Sequence, residues 1–188
     1  MRIIAGKHKG RRLELAKDMS DAIRPTSDFA REAIFNILTH GKFGLNGHSF
    51  TDKDVLDVFC GTGAFGLEAL SRGAASVTFI DQARDAIAIA KHNAERMNEG
   101  DKAEYVLANA TKLAKARRAY ALIFLDPPYF SKLIVPTLKS LHENGWIAED
   151  ALIVAEHDAK ETIEVEAPFE VVDQRRYGRA IVELIKLS

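Results

Sequence analysis

Asp126-Pro127-Pro128-Tyr129 sets a carboxylate, a stiff proline pair and an aromatic ring directly behind the apolar run Tyr120 to Leu125, YALIFL. The run is shorter than an ordinary helix and reads as a buried strand. A proline pair neither extends a strand ladder nor enters a helix interior, so the chain must leave the sheet at Asp126 in a rigid loop. Open α/β sheets place ligands at the carboxyl ends of their strands. The loop therefore presents the Asp126 carboxylate, the Pro127 carbonyl and the Tyr129 ring, with Pro128 beside them, to whatever binds there. These groups suit an exocyclic amino group of a nucleobase. Its lone pair is delocalised into the ring; two acceptors on its two N–H bonds draw density back onto nitrogen, while an aromatic face holds the base. The plainer reading is a strand that ends in a proline turn with an exposed tyrosine, and the rest of the chain has to decide.

Upstream, DVFCGTGAFG places Gly61, Gly63 and Gly66 in a G-x-G-x-x-G pattern between a strand and a helix start. Glycine there admits a ligand to the backbone amides of the helix amino terminus. The pattern serves nicotinamide, flavin and adenosylmethionine sites alike, and also a tight turn without ligand. Asp81 closes the second strand, TFID, near the offset of an acid that accepts from ribose hydroxyls; its plainer role is to cap the next helix. Asp57, inside the first strand, is an acid placed for the amino group of an amino-acid-bearing cofactor, or for loop amides. Asn109 follows the third strand, where an adenine edge and an ordinary turn explain it equally.

The elements that must hold these residues alternate from Val55 onward. VLDVF, SVTFI, EYVLA, YALIFL and ALIVAE read as strands. Between them, Ala64 to Arg72, Asp85 to Met97, Thr111 to Arg118 and Ser131 to His142 read as helices. Alternation of this kind means βαβ units and a parallel sheet covered on both faces. FEVVDQRRYGRAIVELI holds two strands around a basic turn at Arg175 to Gly178, so the sheet should finish in an antiparallel hairpin. Before the sheet, RIIAGKHKGRRLEL reads as a basic hairpin around Gly6 and Gly10. A helix follows, capped by Thr26 or Ser27, with Phe29, Ala33, Ile34, Ile37 and Leu38 on one face. The expected division is an amino-terminal appendage over residues 1–45 and a main domain over 46–188.

Hydrophobic residues make up 47% of the 188 and charged residues 28%, which is a globular profile. A net charge of −1 names no partner, but Met1 to Arg12 carries Arg2, Lys7, Lys9, Arg11 and Arg12 without an acid, which suits a polyanion. With Cys60 as the single cysteine no internal disulfide forms, and a reducing, cytoplasmic setting is expected. No apolar stretch approaches membrane-spanning length, and the six histidines show no metal-ligand spacing.

VFCGTGAFGLEALSRGA, FID and DPPY together resemble a class I adenosylmethionine-dependent methyltransferase of Rossmann-like fold acting on an exocyclic amine. RIIAGKHKGRRL, the RPT of Arg24 to Thr26 with AREAIFNIL, and IVAEH narrow this. The whole chain resembles the bacterial small-subunit (16S) ribosomal RNA guanine-N2 methyltransferases. The resemblance implies S-adenosyl-L-methionine as methyl donor, with Asp57, Gly61 and Gly63 at its methionine part and Asp81 at its ribose. Where the family commonly has an Asp for the adenine amino group this chain has Asn109, whose oxygen also accepts. Asp126, Pro127 and Tyr129 would hold the guanine, and Arg24 and Thr26 would help close the helix over cofactor and target. The expected partner is small-subunit ribosomal RNA or the assembling subunit, met by a monomer. Arm residues Lys7, Lys9, Arg11 and Arg12, then Arg117, Arg118, Arg175, Arg176 and Arg179, are candidates for its phosphates. The expected transfer is direct, with no metal and with Cys60 packed rather than nucleophilic. Three other readings remain: a DNA adenine-N6 or protein-glutamine methyltransferase with the same loop, a nicotinamide-dependent oxidoreductase, and a non-catalytic ribosome-assembly binder.

Overall fold

A computed structural model of the chain describes residues 1–15, 28–40 and 50–188. Its elements are α1 (Asp28–His40), β1 (Asp54–Val58), α2 (Ala64–Ser71), β2 (Ser76–Asp81), α3 (Arg84–Arg96), β3 (Ala103–Leu107) and β4 (Tyr120–Leu125). They continue with α4 (Ile134–Glu143), β5 (Ile147–Asp158), β6 (Phe169–Tyr177) and β7 (Ala180–Leu187). The strands form one seven-stranded sheet in the order β3-β2-β1-β4-β5-β7-β6. β1 to β5 pair in parallel, and β7 is antiparallel to both β5 and β6, which gives the mostly parallel sheet with a terminal hairpin that the alternation implied.

The central strands read as almost unbroken apolar runs because both sheet faces are covered. Side chains alternate between two cores. Val55, Val77, Phe79 and Phe124 face the side of α1, α2 and α3, whereas Leu56, Val58, Ile80 and Leu125 face α4. Ile3 and Leu13 of the arm and Ile34, Phe35 and Leu38 of α1 join the first of these cores, so the described parts of residues 1–45 share apolar contacts with the sheet.

Four local expectations are revised. Thr111 to Arg118 is not a helix: a 3-10 turn at Ala110–Lys112 leads into an extended stretch. Backbone groups there are taken by the end of α4 and beyond. Leu113 N donates to Ser140 Oγ at 2.9 Å, Ala116 N to the Asn144 carbonyl at 2.8 Å, and Trp146 Nε1 to the Ala114 carbonyl at 2.9 Å. A segment this short, with its donors engaged elsewhere, does not meet the cost of helix nucleation. The helix expected from Ser131 begins instead at Ile134, because Phe130 (φ 61°) and Lys132 (φ 56°) are left-handed. α1 buries Ala30, Arg31, Ile34, Phe35 and Leu38, and Phe29 is 71% exposed. Phe35 sets that rotation, with ring centroids 5.2 Å from Phe50 and 5.5 Å from Phe124. Finally, Arg175 and Arg176 belong to β6, leaving Gly178 and Arg179 as the turn. The expected cap at Thr26 or Ser27, and the site residues Arg24 and Thr26, lie outside the described residues.

Candidate active site

β1 and β4 are neighbours at the middle of the sheet, so their carboxyl ends, with the two motif loops, lie side by side. Asp126 N donates to the Val58 carbonyl at 3.4 Å and ties one loop to the other. Phe59, at φ 61°, turns the chain out of β1 into the glycine loop, and Gly63, at φ 79°, caps α2.

The three glycines do different work. The Gly61 amide donates to Asp81 Oδ2 at 3.1 Å. Gly66 is a packing residue: a Cβ there would stand 2.4 Å from Phe79 Cε1, so its absence lets α2 close on β2. The Gly66 amide also donates to Asp57 Oδ2 at 2.9 Å. Asp57 is 1% exposed. Burial pushes its carboxyl up to about 8; the Gly66 bond pulls the other way, and the charge of Asp81 adds to the rise. A cation arriving beside Asp57 would favour its ionised form. Cys60 is buried as well, and burial, then Asp57 and Asp81, push its thiol up, which suits packing rather than nucleophilic attack.

Asp81 does not cap α3, whose cap is Ala83; its Oδ1 accepts from the Ala83 amide at 2.9 Å. A carboxylate offers about four lone-pair sites, so two amide bonds leave room for a pair of hydroxyls. Asn109 Oδ1 accepts from both Thr111 N and Thr111 Oγ1 at 2.9 Å, in an ordinary turn. Its oxygen is thereby filled and its Nδ2 is the group left to turn outward. An acid against the glycine loop, a buried acid behind it and a donor beyond the third strand together fit the polar parts of an amino-acid-bearing nucleoside.

In the proline loop Asp126 and Tyr129 are half-buried, Pro127 is buried and Pro128 exposed. The Tyr129 hydroxyl donates to Glu156 Oε1 at 2.8 Å, and the Arg179 guanidinium stands 5.7 Å from the ring centroid. Burial first, then the charge of Glu156, raise the Tyr129 hydroxyl far above its usual range, so it remains a donor. A groove of ≈ 290 Å³ runs past Pro127 and Pro128, walled by Ile134, Ile163, Glu156 and His157. It borders the proline loop but includes neither Asp126 nor the glycines, so it is a flank of the site rather than its centre.

The arm is docked along α2 and α3. Glu68 of α2, 0% exposed, accepts from Ile4 N at 2.7 Å and Ala5 N at 3.0 Å and also binds Arg72 at 2.8 Å. Gly6 lies on the end of α2: a Cβ there would stand 1.8 Å from the Ser71 carbonyl oxygen. Lys7 and His8 both reach Glu99, at 2.5 and 2.6 Å. Burial raises the Glu99 carboxyl, but the bonds to Lys7 and His8 outweigh it and hold the group below its usual range. α2 runs back from the glycine loop by about 12 Å at 1.5 Å per residue, so the arm's tip lies toward the opposite end of the sheet from Asp126.

The expected phosphate ligands are therefore scattered. Lys7 is paired, Arg11 is bonded to the Arg96 carbonyl, and Lys9 and Arg12 are exposed without an ion pair among the described residues. Arg118 ties strands together at the far end through Tyr120, Ser76 and Glu104, while Arg117 is exposed. Arg175 pairs with Asp173 at 2.9 Å and Arg176 with the Gly178 carbonyl at 3.1 Å. Arg179 bonds to Asp158 and covers Tyr129. Sequence reasoning did not select Glu68, Glu99, Glu156 or Asp158. The available signals were for Glu68, a lone acid within the apolar GLEAL of α2, and for Glu156, the lone acid of ALIVAE and part of the IVAEH run that narrows the family.

The family model described as Conserved hypothetical protein 95 matches residues 1–186. The chain belongs to this family. It is 37% identical over 161 residues to the Ribosomal RNA small subunit methyltransferase D of Escherichia coli, covering 85% of this chain and 76% of that one. The protein of that name from Haemophilus influenzae is 32% identical over 160 residues, covering 83% and 78% of the two chains. The solved structure of yhhF from Escherichia coli superposes with a TM-score of 0.82 at 32% identity, covering 100% and 98%. The fold also matches a ribosomal protein L11 methylase of Lactobacillus delbrueckii, TM-score 0.60 at 19% identity, over 73% and 71% of the chains. The family member described here is thus a methyltransferase with the class I fold. Among its described residues, no helix is long and apolar enough to cross a membrane and no acidic, histidine or cysteine group is arranged to hold a metal.

Proposed function

We propose that the protein transfers a methyl group from S-adenosylmethionine to the exocyclic N2 amine of a guanine in small-subunit ribosomal RNA. The observation that carries this reading is the junction of the two loops, Asp126 N on the Val58 carbonyl, which sets a nucleobase-amine loop beside a nucleoside-binding one. Bound S-adenosylmethionine would supply an electrophilic methyl group, its sulfur keeping the electron pair of the broken S–C bond and leaving as the neutral thioether S-adenosylhomocysteine. Asp57 would take its ammonium and Asp81 its ribose hydroxyls, with Gly61 and Gly63 keeping the loop low. Asn109 would meet the adenine through Nδ2, donating to a ring nitrogen, since its oxygen is engaged by Thr111.

Asp126 and the Pro127 carbonyl accept the two amine N–H bonds, oppose delocalisation of the lone pair and match the positive charge that develops on nitrogen. Asp126 then takes the proton that nitrogen loses, directly or through water. Tyr129 stacks on the guanine, which must leave any helix to be reached. Lys9, Arg12 and Arg117, exposed, and Arg176, exposed beside the Gly178 carbonyl, are assigned to phosphate contact, and Arg24 and Thr26 to closing over cofactor and target. The test is transfer of labelled methyl to unmodified small subunits, followed by digestion to nucleosides. N2-methylguanosine is expected; no label, or label on adenosine, overturns the reading.

A further inference from the structure

Tyr129 follows two prolines and precedes a left-handed residue, so its backbone is stiff, yet a half-exposed tyrosine has two side-chain torsions free to wander. The hydroxyl end and one face of this ring are held. Its hydroxyl donates to Glu156 Oε1 at 2.8 Å. Glu156 is 2% exposed on β5, and β5 is clasped between β4 and β7, so the acceptor sits on one of the most constrained strands. Two residues on, and so on the same face, Asp158 is 0% exposed and bonds Arg179 Nε. Asp158 is fixed in turn by the Lys160 amide at 2.9 Å, and the Arg179 carbonyl accepts from Ala159 N at 2.8 Å. The guanidinium this anchors lies over the Tyr129 ring at 5.7 Å.

We propose that Glu156 and Arg179 are positioning residues for Tyr129: Glu156 fixes the direction of the ring through its hydroxyl, and Arg179 occupies one face, so the target base stacks on the other. This rests on the reading of Tyr129 as the stacking partner of the base. The physical case is one of cost and geometry. Two carboxylates are kept out of water on alternate positions of one strand, which is unfavourable unless each is bonded, and the partners of both converge on a single aromatic ring. A cation over the ring also helps hold it in place, since the ring face carries negative charge. A misplacement of the stacked base by about 1 Å would cost about a hundredfold in rate, so a ring held at its hydroxyl and on one face has a catalytic consequence that a satisfied surface tyrosine lacks.

The experiment is a double-mutant cycle on the full chain, with methyl transfer to unmodified small subunits and calorimetric binding of S-adenosylmethionine as separate readouts. Glu156→Ala is expected to lower kcat about ten- to a hundredfold with cofactor Kd within about twofold. Glu156→Gln, which keeps an acceptor, restores most of the rate. In the Tyr129→Phe background, Glu156→Ala should add less than about a twofold loss, because the bond it would break is already absent. Arg179→Ala should lower kcat several-fold and Arg179→Lys recover part of it. Equal losses from Glu156→Ala in both backgrounds, unchanged kcat, or parallel loss of cofactor binding each overturn the proposal. Fluorine NMR of fluorotyrosine-labelled protein reads the ring without any turnover, with Tyr129→Phe assigning the line. A Tyr129 resonance that Glu156→Gln preserves and Glu156→Ala moves to the position of an exposed tyrosine supports fixation; one unmoved by Glu156→Ala refutes it. If wild-type protein transfers no methyl while that shift is seen, the functional reading fails and the fixation of the ring stands.

Discussion

The Gly6–Gly10 turn of the arm and the Asp126–Tyr129 loop lie toward opposite ends of one sheet, and both offer groups that a nucleic acid would meet. In the arm turn the fold consumes most of them. Lys7 and His8 are spent on Glu99, the Ile4 and Ala5 amides on Glu68, and the turn itself is pressed onto Ser71. In the proline loop Asp126 and Tyr129 keep partial exposure, and of the two groups that hold Tyr129 one bonds its hydroxyl and the other covers a single ring face. A run of cations serves as a binding surface only where no acid elsewhere in the chain comes to meet it, and here Glu99, just beyond α3, meets Lys7 and His8.

Breaking the loop should cost the most. Asp126→Ala is expected to reduce methyl transfer by about 10²- to 10⁴-fold, with S-adenosylmethionine binding by calorimetry nearly intact; loss of both would shift Asp126 from the reaction to the scaffold. Breaking the arm should cost stability instead of chemistry. Glu68→Ala leaves two arm amides and Arg72 without their acceptor in a buried place, for about 3 kcal/mol in urea unfolding. Gly6→Ala, with its Cβ driven onto the Ser71 carbonyl at φ 79°, should cost about 1–3 kcal/mol and loosen amide protection in the arm.

Proton linkage separates the two ends further. The Asp57 carboxyl keeps its proton in the folded chain up to about 8 but loses it near 3.8 when unfolded, so the folded state holds the extra proton between those values. Its contribution therefore makes stability fall as pH rises through that window, and Asp57→Asn should flatten the slope of unfolding free energy against pH. Glu99 has the opposite sign. Its depressed carboxyl adds stability above the ordinary value of 4.5, and that stability is lost as pH falls through the folded value, so the arm should loosen first on acidification. The smallest effect is expected from Lys9→Ala and Arg12→Ala. Each should weaken RNA binding modestly and reduce the salt slope by about 0.7–0.9 if it meets a phosphate; an unchanged slope would make the arm wholly structural.

Much of this was legible from local chemistry. The strand–helix alternation follows from periodicity within ten residues, and the rigid exit at Asp126 from two adjacent prolines. The opening of α2 at Gly63 follows from a residue that tolerates φ 79°. Each of these is a constraint the chain carries with it before it folds. Other features required partners that sequence distance hides. Phe29, apolar and in phase, is exposed because Phe35 found three other rings and set the rotation of α1. Thr111 to Arg118, helical by composition, is extended because α4 supplied its hydrogen bonds first.

Short-range chemistry in the sequence is enough for the parallel sheet, the glycine and proline loops and the type of group each presents, since stiff turns and apolar periods act within a few residues; that the two loops are neighbours follows from the pairing of β1 with β4. Tertiary structure alone decided which charges remain available and how the Tyr129 ring is aimed. Those depend on Glu68, Glu99, Glu156 and Asp158, whose burial sets the energy of each contact and whose partners lie far along the chain or on another strand.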